Sequence, residues 1–242
     1  MKLAIMQPYF FPYIGYWQLL NVVDRFVIYD DVNFIKGGWI NRNRILINSK
    51  TSYITAPLHQ ASPNKRICDI SLQPSPVWRR KMIKSIENTY RKSPFFTEVF
   101  PIVSKIICYK ADNLTDYLTY NIGSMATFMG IKTELVTTSR CYQNSKLTGE
   151  DRVLDICERE GANTYINLQG GQTLYDAETF HSVGIDLRFI VIQPIKYKQR
   201  TDGFVPYLSI IDALMEIGTV DIVHHMNKFE LYRGFAPVTL KQ

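Results

Sequence analysis

The first 31 residues constrain the fold more than any other stretch. Residues 3–6, LAIM, form a continuous apolar run that stops at Gln7-Pro8, the pattern of a strand buried on both faces. A stiff aromatic loop, PYFFPYIG, fills 8–15. From 16 to 23 the apolar residues recur at spacings of three and four, Trp17 with Leu20 and Leu19 with Val23, which predicts a helix. FVIY at 26–29 is a second buried run, stopped by Asp30-Asp31. Two strands joined through a helix need a crossover, and a crossover favours parallel strands in one sheet.

The pattern recurs in the second half. A strand at 134–138 is followed by a helix that a capping-box variant, Thr148-Gly149-Glu150-Asp151, opens and Gly161 closes, and then by a strand at 164–167. A short helix at 176–183 leads to a strand at 187–192, a helix at 208–218 and a last helix at 220–230. Between the two βαβ units lie a hairpin, 45–47 and 52–55 about Asn48-Ser49-Lys50, and three helices at 76–92, 95–109 and 113–129, the last stopped by Gly130. The expected fold is α/β: a mainly parallel sheet built from βαβ units, with a helical insertion near residues 76–130. No repeat or linker divides the chain, so residues 1–242 are expected to form a single domain.

Composition narrows the class. Of 242 residues, 46% are apolar and 21% charged, which suits a packed globular chain. No apolar run approaches 18 residues, so no membrane span is expected. The apolar amino-terminal run is too short for a signal-peptide core. The four cysteines form no CxxC pair and have no histidine at zinc-ligand spacing. Reduced thiols, a cytoplasmic location and no metal follow as expectations. The net charge is +6, and the 76–92 helix carries six basic side chains against the single Glu87, a local +5.

In an open parallel sheet ligands gather at the carboxyl ends of the strands. The predicted strands end in Gln7-Pro8-Tyr9, Asp30-Asp31, Asn167-Leu168-Gln169-Gly170-Gly171 and Gln193-Pro194. Asp30 and Asp31 are candidate general bases, set against a plain strand-end turn. Residues 36–44, KGGWINRNR, are the densest polar-aromatic stretch. Glycines admit close backbone approach there, and arginines suit bidentate phosphate contacts. The stretch matches neither a P-loop nor a Rossmann fingerprint. Lys36, Trp39, Asn41, Arg42 and Arg44 are therefore candidates for a diphosphate or carboxylate clamp, with an exposed basic loop as the alternative. His59, in a loop after Pro57, is the histidine best placed to act as a base. Neither GxSxG nor HExxH is present.

Four segments, QPYFFPYIGYWQLL at 7–20, DRFVIYDDVNFIKGGWINRNRI at 24–45, YINLQGGQTLYD at 165–176 and FVPYLSIIDALM at 204–215, together resemble the WbqC-like family of bacterial proteins. The resemblance spans essentially the whole chain. It implies a place in O-antigen and other surface-polysaccharide biosynthesis, alongside sugar aminotransferases and acyl-transfer enzymes. Residues 10–16 are also similar to the HxGH signature of nucleotidyltransferases, with Tyr13 and Tyr16 in place of the two histidines. Without those imidazoles the usual stabilisation of a phosphate in the transition state is missing.

The expected function is N-acyl or aminoacyl transfer onto the amine of a nucleotide-linked amino sugar. In that scheme Asp30, Asp31 and His59 supply the base, and Lys36, Arg42 and Arg44 hold the diphosphate. Gln7, Tyr9, Trp39, Asn41, Asn167, Gln169 and Gly170 line the substrate site. An acyl-CoA or an acyl carrier protein is the expected donor, and the basic helix suits an acidic carrier. The competing function is a non-catalytic nucleotide-sugar-binding partner in polysaccharide assembly. Nucleic acid is not an expected partner, because the charge is concentrated in one helix and no nucleic-acid motif is present.

Overall fold

The computed structural model describes residues 1–192 and 195–233. Its first three elements are β1 (Lys2–Met6), α1 (Ile14–Val22) and β2 (Arg25–Ile28). Next come the hairpin β3 (Arg42–Ile47) and β4 (Lys50–Thr55), then a two-residue ribbon, β5 (Leu58–His59) with β6 (Ser71–Leu72). Helices α2 (Val77–Tyr90), α3 (Phe96–Cys108) and α4 (Leu114–Phe128) precede β7 (Glu134–Val136). The rest is α5 (Gly149–Arg159), β8 (Thr164–Leu168), α6 (Ala177–Ser182), β9 (Asp186–Ile192), α7 (Ile210–Met226) and β10 (Phe229–Arg233).

Six strands form the central sheet in the order β10-β9-β8-β1-β2-β7. All pairs are parallel except β9 with β10. The chain thus leaves β1 in one direction through β2 to β7, then returns to β8 on the other side of β1 and runs outward to β10. The order reverses between β1 and β8, and in open α/β sheets this switch point is where ligands bind.

Alternate side chains explain why the strands read as unbroken apolar runs. Ala4, Phe26, Ile28, Ile166 and Ile190 are buried in the core shared with α1, α2, α3, α4 and α7. Leu3, Ile5, Val27, Tyr165, Leu187 and Phe189 are buried in the core beneath α5 and α6. A strand covered on both faces has no position for a solvated residue. The three helices expected near 76–130 are present at 77–128 and lie on the α1 side of the sheet. In α2, Met82, Ile86 and Tyr90 are buried, and Arg80, Lys81 and Lys84 face solvent.

Three local expectations need correction. The hairpin has longer arms and a tighter turn, because Ile47 pairs with Lys50 and only Asn48 and Ser49, both at positive φ, make the reversal. Thr148 is the residue before α5, but its side chain makes no cap bond. The last helix ends at Met226, and residues 229–233 form the antiparallel edge strand β10. Residues 193–194, expected to end a strand, lie outside the described residues.

Gly218 bends α7, with φ 75° and ψ 177°. A Cβ there would stand 2.5 Å from the Phe95 ring. Gly218→Ala should therefore destabilise the protein by about 1–3 kcal/mol, through both the positive φ and the overpacking. Urea unfolding should show the lower midpoint with an unchanged slope.

Candidate functional site

The loop that leaves β1 is buried, so its backbone polar groups need partners within the protein. Phe10 and Phe11 are wholly buried. The Asn43 amide, from β3, donates to the carbonyls of Phe10 (3.2 Å) and Phe11 (2.9 Å). The Phe11 N–H donates to Asn121 Oδ1 in α4 at 2.9 Å. Ser209, just before α7, donates to the Phe11 carbonyl at 2.8 Å, and Trp17 Nε1 donates to the Pro12 carbonyl at 2.9 Å. Side chains from four separate elements thus fix the path of residues 10–12.

This fixed loop delivers Tyr9, Pro12 and Tyr13 to one wall of a cleft of about 270 Å³, completed by Trp39, Asn43, Arg44 and Tyr207. Its location is the carboxyl edge of the sheet, after β1 and on the α1 face. The Tyr13 and Tyr207 rings meet edge to face with centroids 5.7 Å apart. The Arg44 guanidinium lies 5.4 Å from the Trp39 ring centroid. Its Nη2 donates to the carbonyls of Pro206 and Tyr207 at 3.4 Å, while its Nε is buried with no hydrogen-bond partner among the described residues. Beside the cleft, Arg42 covers Tyr53 at 4.4 Å. Burial raises the hydroxyl pKa of Tyr9 and Tyr13 above the ordinary tyrosine value, and for Tyr13 the neighbouring Tyr9 and Tyr207 add to the rise. Both remain hydrogen-bond donors at neutral pH.

The cleft also depends on Gly15. A Cβ at this position would come within 2.1 Å of Ile192 Cδ1 and 2.6 Å of the Tyr13 ring. The start of α1 packs against the end of β9 only because that side chain is missing.

Of the residues expected to bind substrate, Tyr9, Trp39 and Arg44 come together here. The other expected residues lie elsewhere. Gln7 is half-buried, and its carbonyl accepts the Tyr16 hydroxyl at 3.2 Å. Tyr16 itself is wholly buried. Asn41 donates to the Ala56 carbonyl at 2.9 Å, and Arg42 to the carbonyls of Gly37 and Gly38. Lys36 is exposed. Asn167 is buried and bonds to the Tyr165 hydroxyl at 3.1 Å and to the Leu168 N–H. Gln169 and the exposed Gly170 open a 3₁₀ turn.

The three candidate bases are also apart from the cleft. His59 is exposed on the β5–β6 ribbon. Asp30 is 1% exposed, and its carboxylate accepts from Thr138 Oγ1 (2.9 Å) and from the Ser139 N–H (2.9 Å) and hydroxyl (3.2 Å). Asp31 accepts from the Ser139 hydroxyl and pairs with the buried Arg152. Arg152 in turn donates to Asn144 Oδ1 at 2.9 Å and stands 5.0 Å from the Tyr29 ring centroid. Asp30 therefore ties the end of β2 to the residues after β7, and Asp31 ties both to α5. Among the described residues, no group of three or more histidine, cysteine, aspartate and glutamate side chains is placed to hold a metal ion.

The family model of the WbqC-like proteins matches residues 7–224. The chain belongs to the WbqC-like family. An uncharacterized protein of Mycobacterium tuberculosis is 26% identical over 222 residues, covering 90% of this chain and 94% of that one. No solved structure is a significant match. The matched span contains every residue of the cleft, so this WbqC-like chain carries the whole aromatic site within its family region.

Behind the cleft, Asp212 of α7 is 2% exposed and accepts the hydroxyls of Tyr90 and Tyr197, each at 2.7 Å. Burial raises its pKa, and the two hydroxyls offset the rise in part. A carboxyl with a raised folded pKa contributes stability that is fully present below its unfolded pKa, about 3.9, and is lost as pH rises through the folded value. Denaturation midpoints of the native protein and Asp212→Asn should therefore diverge with rising pH from about 4, the native protein losing ground to the permanently neutral variant.

The buried pair gives a second expectation. Arg152→Met should cost about 3–5 kcal/mol by leaving Asp31 unpaired, and Asp31→Leu in the same chain should restore at least half of the loss. A double-mutant cycle in urea reads both values.

Proposed function

We propose that this chain is a transferase of surface-polysaccharide biosynthesis that holds a nucleotide-linked amino sugar in the aromatic cleft and acylates its amine. The observation that carries this reading is the chemical character of the cleft. Tyr9, Tyr13, Trp39 and Tyr207 supply aromatic faces for a base or a sugar ring, and Arg44 brings a buried N–H with no partner among the described residues. Among the described residues the one charged side chain lining it, Arg44, is cationic, which suits a phosphate. Membership of the WbqC-like family agrees with this pathway.

In the assigned reaction the sugar amine attacks the carbonyl carbon of an acyl thioester, carried on coenzyme A or on an acyl carrier protein. A C–N bond forms, the C–S bond breaks, and the thiol leaves with the proton released by the amine. The Tyr9 and Tyr13 hydroxyls are suited to donate to the developing oxyanion. The exposed basic face of α2 suits an acidic carrier. One observation favours the second reading, a non-catalytic holder of the nucleotide sugar: the described lining contains no carboxylate or imidazole to take the amine proton.

Calorimetry against a panel of UDP- and dTDP-linked amino sugars tests the binding. Arg44→Ala should weaken affinity about tenfold or more, consistent with roughly 1.5–3 kcal/mol for a hydrogen bond to a charged group, and Trp39→Ala by a smaller factor, consistent with roughly 0.5–1.5 kcal/mol for an aromatic contact. Each variant should keep its unfolding free energy within about 1 kcal/mol of native, as expected for residues at a solvent-facing cleft. Mass spectrometry of the bound sugar, after incubation with acyl-CoA and acyl-carrier donors, then separates the two readings. A mass gain of one acyl group marks the enzyme, and tight binding with no gain marks the holder. With a carrier donor, Arg80→Glu with Lys84→Glu should slow transfer, and less so at high salt.

A further inference from the structure

Next to the aromatic cleft is a second, smaller cavity, and the Tyr13 and Tyr207 side chains form part of both walls. Ile14, Ile192, Ile195, Phe204, Val205 and Ala213 contribute to its lining, which is almost wholly apolar. It leaves about 50 Å³ for the centres of water-sized groups. That exceeds the roughly 10–15 Å³ needed to hold one water-sized group, so the cavity takes a few such groups and no more.

The walls are held firmly. Tyr197 donates to the buried Asp212 and meets Phe204 edge to face at 5.7 Å. The Gln199 side chain clamps Val205 from both sides, donating to its carbonyl at 2.9 Å and accepting its N–H at 2.7 Å. Arg200 pairs with Glu216 of α7 at 2.7 Å. Segment 195–208 has no regular secondary structure, yet side-chain bonds fasten it to α7. A cavity with such walls has a set size rather than an adaptable one.

We infer that this cavity is the acyl subsite of the proposed transfer, seating a straight acyl group of two to four carbons while the sugar occupies the aromatic cleft. The inference rests on the nucleotide-sugar reading and adds the size and polarity of the group transferred. The shared Tyr13–Tyr207 wall is where the amide would lie, with the sugar on one side and the alkyl chain on the other. An apolar lining with no cation among the described residues disfavours a carboxylate-bearing acyl group by its desolvation cost.

The test is calorimetry with UDP- and dTDP-linked amino sugars carrying N-acetyl, N-propionyl, N-butyryl, N-hexanoyl or N-succinyl groups, beside the free amines. Affinity should rise about fourfold per methylene up to butyryl, the value of about 0.8 kcal/mol per buried CH₂, and then fall at hexanoyl and succinyl. Val205→Phe, in the segment without regular structure, and Ala213→Leu, in α7, should each shift the optimum to a shorter chain and leave affinity for the free amine unchanged. Circular dichroism confirms folding, and two variants guard against the failure of one. Equal affinity across the series, with the free amines still bound, overturns the acyl subsite and leaves the nucleotide-sugar reading standing. Tighter binding of succinyl than of butyryl also overturns it. No affinity for any member, acylated or free, overturns the nucleotide-sugar reading and this inference with it.

Discussion

The structure depends on burying a loop. Residues 10–12 pass through the core instead of over the surface, and a buried peptide group without a partner costs on the order of 1–3 kcal/mol. The partners come from β3, α1, α4 and the segment before α7: Asn43, Trp17, Asn121 and Ser209. The same bonds that satisfy the loop hold the hairpin and α7 against the first strand, and the cleft is the space these elements leave between them. The position of the site is thus a consequence of one set of polar contacts. The loop that leaves β1 decides which of its side chains reach the cleft.

The βαβ units were legible because their signals are local. A strand covered on both faces shows an apolar run, and helix α2 shows a stripe every four residues, whatever lies elsewhere in the chain. The edge strand was not legible. FELYR at 229–233 follows a helical stretch without a breaker, and its strand state comes from pairing with β9. The turn at Asn48-Ser49 was visible as a turn, but its two-residue length is set by the register of Ile47 against Lys50.

The site was legible in part for a related reason. Tyr9, Trp39 and Arg44 stood out as polar-aromatic residues beside glycines or a strand end, and all three line the cleft. Asp30 and Asp31 stood out as charges at a strand end. Their partners, Thr138, Ser139 and Arg152, are more than a hundred residues away in sequence and carry no mark that pairs them with the aspartates. Tyr207 fell within the family-like segment 204–215, but nothing in its spacing placed it against Tyr13. The one available signal for Tyr13 was its place in the HxGH-like spacing, because that spacing sets a side chain at the start of α1 beside the strand end.

The union of β2 with β7 has a consequence for how the chain acquires its fold. The segment between them holds the hairpin, the ribbon and three helices, so pairing Arg25 with Glu134 closes a loop of more than a hundred residues. Closing so long a segment is entropically costly, and the cost is offset only when the contacts at its ends form together. The polar knot of Asp30, Asp31, Ser139 and Arg152 sits where the two ends of that long segment meet, and it joins residues more than a hundred positions apart. Contacts of such separation raise the contact order of the chain, and a high contact order goes with slow folding.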